Sequence, residues 1–456
     1  MVETNLEFCK NDLNEVVNLF GSSDALSVRH IFKSADNRVV NTVIFAGQSY
    51  AFGTLMPKVE SEIERKRYVK RFAKLAVYKA LSKALNKDLP WGSLTGIRPT
   101  KLAYSEIEKN GDFTDFFIDM MKVSKEKTSL IKDIIKEQEG IYKKDDNNTD
   151  FFVFIPFCPS RCKYCSFISA DIKSASKLVD KYVDTLIYEI ENSKQYIKNL
   201  RSIYIGGGTP VALSDEHLDK ILCAIDDINP GVEFTVEAGR PDRITESNLK
   251  ILKKHRVTRI CINPQTFNDQ TLERLKRNHT AKDVVDKFEM AKNDFIINMD
   301  LIAGLEGESF DDFKKSLDTA VLLSPDNITV HTLCIKRGSA LAEEKTRLDE
   351  LGVTTMVDYA RETLVRNGFN PYYLYRQKYM AGNLENVGYA KNNKACVYNV
   401  NVMEEISSTV ACGANAISKR VFNGGERIER EASPKDVKTY IDKIDLILQA
   451  KQKLFS

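Results

Sequence analysis

The chain has 456 residues and 51.7 kDa, with 43% hydrophobic and 29% charged residues, ordinary values for a globular protein with a full core. Its 67 Lys plus Arg against 64 Asp plus Glu leave a net charge of +3, too small to mark a nucleic-acid-binding protein. No apolar run approaches the roughly 20 residues that a membrane helix needs, and the acidic start Met1–Glu7 does not read as a signal peptide, so a cytoplasmic protein is expected.

Residues 1–148 read as an N-terminal α+β domain. Loose alternation over 27–55 predicts short strands joined at Ala35–Arg38. Val69, Phe72, Ala76, Ala80 and Ala84 then recur at helical spacing within 65–87. That helix carries nine Lys or Arg and no acid, a face that would suit RNA or anionic lipid. The flanking Glu62, Glu64 and Asp88 favour a solvated face instead. A polar, turn-rich stretch over 143–149 marks the boundary.

Residues 149–368 alternate apolar strands with amphipathic helices. Strands are expected at 151–157, 201–206, 232–238, 257–262, 295–302 and 327–334. Helices are expected at 177–193, 214–226, 245–255, 268–276, 280–292, 309–323 and 353–367. Six strand–helix units imply parallel strands with outer helices, in an open barrel or an open sheet. Residues 369–456 form a C-terminal capping region, with a helix-like segment at 403–411 and a final helix at 434–451.

Of nine cysteines, Cys9, Cys223, Cys261, Cys334, Cys396 and Cys412 are isolated and read as small core hydrophobes. The other three form Cys158-Pro-Ser-Arg-Cys162-Lys-Tyr-Cys165, directly after the apolar run Phe151–Phe157. Three thiolates within eight residues reach one soft metal centre. A structural zinc site or a ferredoxin cluster would want a fourth protein ligand, and none lies nearby. A four-iron cluster with one iron left open fits the count better.

This CxxxCxxC run after a strand resembles the signature of the radical S-adenosylmethionine (SAM) superfamily. The runs Ile155-Pro-Phe-Cys158, Gly206-Gly-Gly-Thr-Pro210, Arg259–Phe267, Asp300–Leu305 and Leu94–Lys101 resemble the oxygen-independent coproporphyrinogen III oxidase family, particularly its coproporphyrinogen dehydrogenase branch. The resemblance implies an α/β fold, a partial (β/α)6 barrel with its site at the C-terminal ends of the strands. It also implies a 4Fe-4S cluster on Cys158, Cys162 and Cys165, whose open iron chelates SAM. The cofactors would supply a 5′-deoxyadenosyl radical while the protein positions them. Phe152 and Phe154 stand where the family's leader typically carries Tyr and His.

The resemblance further implies that Gly207, Gly208 and Thr209 receive the aminoacyl end of SAM, with Glu237, Gln265, Arg277 and Asp300 as its other contacts. Arg277 would offer a carboxylate fork. His279 and His331 read as structural. Tyr372, Tyr373, Arg376 and Lys378, with Arg337 after the sixth strand, would hold a flat anionic tetrapyrrole. The expected activity is oxidative decarboxylation of two coproporphyrinogen III propionates to vinyls, in haem biosynthesis. Reduced flavodoxin or ferredoxin would donate the electron. Two alternatives are a haem-binding chaperone or radical haem-degrading methyltransferase, and a radical enzyme acting on RNA.

Overall fold

In the computed structural model, which describes residues 1–21, 26–59, 61–166, 170–335, 339–343, 350–378 and 380–456, contacts divide the chain into Met1–Lys132 and Asp133–Ser456. The first unit opens on a four-stranded sheet of Val2–Thr4, Val28–Ala35, Arg38–Phe45 and Gln48–Leu55, in that order. Two-residue turns with positive φ, Asp36–Asn37 and Ala46–Gly47, match the right-handed twist of the strands they join. The helix Glu62–Leu85, capped by Ser61, buries Val69, Phe72, Ala73, Ala76, Val77, Ala80 and Leu81. Three of its basic residues are engaged within this unit, whereas Arg65, Lys66, Arg67 and Lys83 are exposed. Lys70 pairs with Asp12 at 3.0 Å, Arg71 meets Glu106 at 3.6 Å, and the buried Lys74 donates to Thr95 at 2.6 Å.

The second unit contains six strands in sequence order: β1 (Asn148–Ile155), β2 (Asn199–Gly207), β3 (Glu233–Val236), β4 (Arg259–Cys261), β5 (Ile296–Ala303) and β6 (Asn327–Thr332). Each pairs in parallel with the next. Their near-continuous burial reflects a sheet covered on both faces. The intervening helices start where a short polar side chain meets a backbone N–H. Ser214, Thr245, Thr280 and Ser309 each accept from the residue three positions on. Observed helices at Ser176–Ser193, Asp215–Cys223, Glu246–Lys254, Asp269–Arg274, Ala281–Ala291, Phe310–Leu323 and Glu350–Arg366 fall where the periodicity put them. Among the described residues, no helix is long and apolar enough to cross a membrane.

Three features differ from the sequence reading. Residues 133–147 group with the second unit, where the buried Gln138 donates to the Tyr372 carbonyl at 2.9 Å and to Glu404 at 3.0 Å. The expected helix over 403–411 is instead the end of helix Val397–Glu404, stopped by Glu405 at φ 54°, followed by a strand. The apolar, β-branched run after that cap is fully buried and extends the sheet. The last helix is broken at Lys443 into Val437–Asp442 and Ile444–Phe455.

The C-terminal region thus extends the sheet at both edges. β7 (Asn370–Tyr375) and β8 (Asn386–Ala390) add antiparallel beside β6. β9 (Ser408–Cys412) adds parallel to β1, followed by antiparallel β10 (Ile417–Phe422) and β11 (Arg427–Ala432). The eleven-stranded sheet runs β7-β8-β6-β5-β4-β3-β2-β1-β9-β10-β11. β8 pairs along Asn327–Val330 of β6, and β9 along Thr149–Val153 of β1, so both strands stop short of the C-terminal ends.

Candidate functional site

β1 ends at Ile155, and Pro156 leads into Phe157–Cys158, a two-residue strand paired with Ala170–Asp171. The three cysteines lie on this loop, none of them in a disulfide. Cys162 is the most enclosed, 8% exposed, while Cys158 and Cys165 are half-buried. The loop is tied at its base. The Cys165 N–H donates to the Cys162 carbonyl at 3.1 Å, and the Lys163 N–H to the Leu275 carbonyl at 3.2 Å.

β2 brings the glycine run against this loop. Gly207 adopts φ +108°, a conformation that L side chains rarely take. A Cβ on Gly208 would stand 2.4 Å from the Phe157 carbonyl oxygen and 3.0 Å from Cys158 Sγ. Backbone and thiol can approach this closely only without a side chain. The Thr209 hydroxyl donates toward Cys158 Sγ at 3.6 Å.

Glu237, one residue past β3, accepts a 2.6 Å hydrogen bond from the Tyr204 hydroxyl. Burial pushes its carboxyl up to about 7; the Tyr204 hydrogen bond opposes this rise, and the charge of Asp300 adds to it. Asp300, inside β5, lies 3.6 Å from His331 Nε2 on β6, and the Tyr375 hydroxyl lies 3.3 Å from His331 Nδ1. Gln265 follows β4 at φ +68°, held by a 2.9 Å bond from its N–H to the Asp300 carbonyl. It is 8% exposed, and its Oε1 is buried without a hydrogen-bond partner. A strained backbone that aims an unpaired buried acceptor fits a ligand contact.

Arg277 is used differently from the expected carboxylate fork. Both terminal nitrogens are committed. Nη1 donates to the Tyr164 hydroxyl at 2.8 Å, and Nη2 to the Gly239 and Asn263 carbonyls at 2.9 and 2.7 Å. The guanidinium therefore fastens the cysteine loop to the turns after β3 and β4. Next to it, His279 is buried with neither ring nitrogen hydrogen-bonded. Burial, then the charge of Arg277, pushes His279 down to about 3.

Three of the residues expected at the tetrapyrrole, Tyr372, Tyr373 and Arg376, are buried. Tyr372 is fully buried in a cluster with Ala390, Cys396 and Val400, and its hydroxyl accepts from Asn399 at 3.1 Å. Tyr373 is buried beside it, its ring pressed against Gly388. Arg376 is 4% exposed and donates to the Asn383 side-chain oxygen at 2.6 Å and the Asn383 carbonyl at 3.2 Å. Tyr372 and Tyr373 of β7 pack with Cys396 and Val400 at the helix Val397–Glu404, whereas Arg376, just past the strand, is held by the Asn383–Leu384 segment. Lys378 is exposed, whereas Arg337 lies outside the described residues.

Sequence reasoning missed an aromatic group on the face that carries Glu237. Phe152 from β1, Tyr204 from β2 and Tyr398 from the C-terminal region stack on one another. Tyr204 and Tyr398 have centroids 4.3 Å apart, and Phe152 lies 5.9 Å from Tyr398. Tyr204 was legible as a strand residue two positions before Gly206 on the same face, but Tyr398 was not. A second polar cluster, Asp219, Cys223 and His255, brings ligand-type atoms together on the outer helices. There His255 bridges Asp226 at 2.7 Å and Asp219 at 2.9 Å, and Lys254 also meets Asp219, so these groups join two helices.

Three thiols on one loop, a cradle that a Cβ would fill and the orphaned Gln265 Oε1 fit an iron–sulfur cluster with a small polar ligand. The radical SAM superfamily model matches residues 152–320. An oxygen-independent coproporphyrinogen-III oxidase-like protein, HemZ of Bacillus subtilis, is 35% identical over 375 residues, 78% of this chain and 75% of that protein. The heme chaperone HemW of the same organism is 37% identical over 193 residues, 41% of this chain and half of that protein. Among solved structures, coproporphyrinogen III oxidase HemN of Escherichia coli superposes with a TM-score of 0.54 at 18% identity. It covers 68% of this chain and 71% of that one, and the likeness is one of fold.

Proposed function

Because the chain belongs to the radical SAM superfamily, in its oxygen-independent coproporphyrinogen-III oxidase-like branch, we propose that it uses a SAM-derived radical on an anionic tetrapyrrole. Members of this superfamily carry a 4Fe-4S cluster and SAM, which together supply a primary carbon radical. In this reading Cys158, Cys162 and Cys165 hold the cluster. Gly207, Gly208 and Thr209 present backbone and hydroxyl to the aminoacyl end of SAM. Glu237, Gln265 and Asp300 meet its amine and ribose. Arg277 and Tyr164 keep the cysteine loop in place from behind.

The observation that carries the reading is Gln265, a buried, strained residue with an unpaired acceptor at the same end of the strands as the three thiols. The aromatic stack of Phe152, Tyr204 and Tyr398 gives a flat apolar wall beside Glu237. Coproporphyrinogen III is the first substrate to test. Removal of a hydrogen atom from each propionate β-carbon, then loss of carbon dioxide and one electron to an external acceptor, would leave a vinyl group. The electron that starts each turnover would come from reduced flavodoxin or ferredoxin.

The similarity to the heme chaperone HemW favours a second reading, a haem carrier. Phe152 and Phe154, which put apolar rings at the leader positions, suit binding without turnover. Anaerobic incubation with SAM, dithionite and coproporphyrinogen III separates the two. Loss of two carbon dioxide units by mass supports decarboxylation. An unchanged tetrapyrrole, with deoxyadenosine released and a stable haem spectrum on titration, overturns it in favour of the carrier.

A further inference from the structure

Arg240 has no part in the reading above, yet its guanidinium touches the most enclosed cysteine. It lies three residues past Glu237 and is 3% exposed. Nε and Nη2 donate to the two oxygens of Asp242 at 2.9 and 3.2 Å, a bidentate pair. Nη1 donates to Ser160 Oγ at 3.2 Å and to the Ser160 carbonyl at 3.5 Å, and lies 3.6 Å from Cys162 Sγ. Arg277 Nη1 approaches the same sulfur only to 4.0 Å and spends its short bond on Tyr164. Arg240 is thus nearer to that sulfur than Arg277, and Asp242 is an anion that offsets it. His279, neutral at physiological pH, adds no charge beside them.

We propose that Arg240 and Asp242 form a positioning pair that sets how readily a cluster on Cys162 accepts its electron. This rests on the cluster assignment made above. Reduction adds one negative charge to the cluster; the electron comes from an external one-electron donor, and no bond within the chain forms or breaks. A cationic N–H donor at a ligand sulfur favours the more negative state, so Arg240 raises the reduction potential. The effect is large because Cys162 is shielded from solvent and the charge is weakly screened. Asp242 has the opposite sign: it holds the guanidinium in place and cancels part of its field. The contacts to Ser160 give Arg240 a second role, pinning the loop between Cys158 and Cys162.

Opposite signs distinguish this role from a merely structural one. The test uses the full-length, iron-reconstituted protein, an iron assay and a dithionite titration followed by electron paramagnetic resonance. Arg240→Gln should retain its iron. At a fixed solution potential its ratio of reduced to oxidised cluster should fall about tenfold, equivalent to 59 mV for a one-electron couple. Asp242→Asn should move the ratio the other way, and Arg240→Lys should fall between wild type and Arg240→Gln. Shifts of the same sign in both pair members, or no shift with iron retained, would overturn the proposal. If Arg240→Gln loses its iron, Asp242→Asn alone decides, and an unchanged or lowered ratio there overturns it. A wild-type chain that takes up no cluster would instead overturn the cluster assignment, and this inference with it.

Discussion

The turns after β1 to β4 and the strand β7 carry similar residue types, aromatic rings beside arginines and small polar groups, yet the structure uses them in opposite ways. At the first, Gln265 Oε1 and Asn263 Oδ1 are buried without partners, and three thiols stand free of any disulfide. At the second, Tyr372 and Arg376 are as deeply buried, but their polar groups bond to Asn399 and Asn383. A buried polar group that the protein satisfies holds the fold, and one that it leaves unsatisfied calls for an explanation; Asn383 Nδ2, beside Arg376, is such an atom as well, so it is the position of Gln265 beside the cysteine loop that sets it apart. Arginine content alone does not tell the two apart.

The largest effect that would break this comparison is loss of the metal. Cys158→Ala, Cys162→Ala or Cys165→Ala should each abolish iron and visible absorbance, while Cys223→Ala should keep both; full iron in the triple variant would remove the distinction. Next comes Arg376→Ala, which leaves the Asn383 acceptors unpaired in the interior. It should cost about 1–3 kcal/mol of stability by denaturant titration, with SAM affinity unchanged.

A smaller effect sharpens the comparison at Glu237. Its carboxyl, raised to about 7 by burial, is mostly neutral at pH 6 and mostly charged at pH 8. If it meets the cationic end of SAM, binding favours the charged form. Affinity should then rise by up to about tenfold between those pH values and level off above, and Glu237→Gln should flatten the profile in calorimetry. The smallest effect is expected at Tyr372→Phe, which removes only the acceptor for Asn399. A loss of about 1 kcal/mol in denaturation with SAM binding unchanged would place Tyr372 in the core; weakened ligand binding would move it to the site.

The local properties of the sequence determined most of the frame. Apolar runs and helical spacing located the six strands and the helices between them, because each signal depends on residues within a few positions. The cysteine spacing and the glycine run pointed to one end of the strands for the same reason. What the sequence did not carry is who pairs with whom over long separations. The parallel addition of Ser408–Cys412 to β1, the stack of Tyr398 on Tyr204 and the burial of Arg376 depend on chain segments that meet only after folding. So does the use of arginine. Arg277 was read as a ligand and Arg240 was not noticed, yet both guanidiniums are turned toward Cys162 and the carbonyls around it. A guanidinium has five donors, and only the acceptors that tertiary structure brings within 3 to 4 Å decide whether it grips a ligand or the loop that holds one.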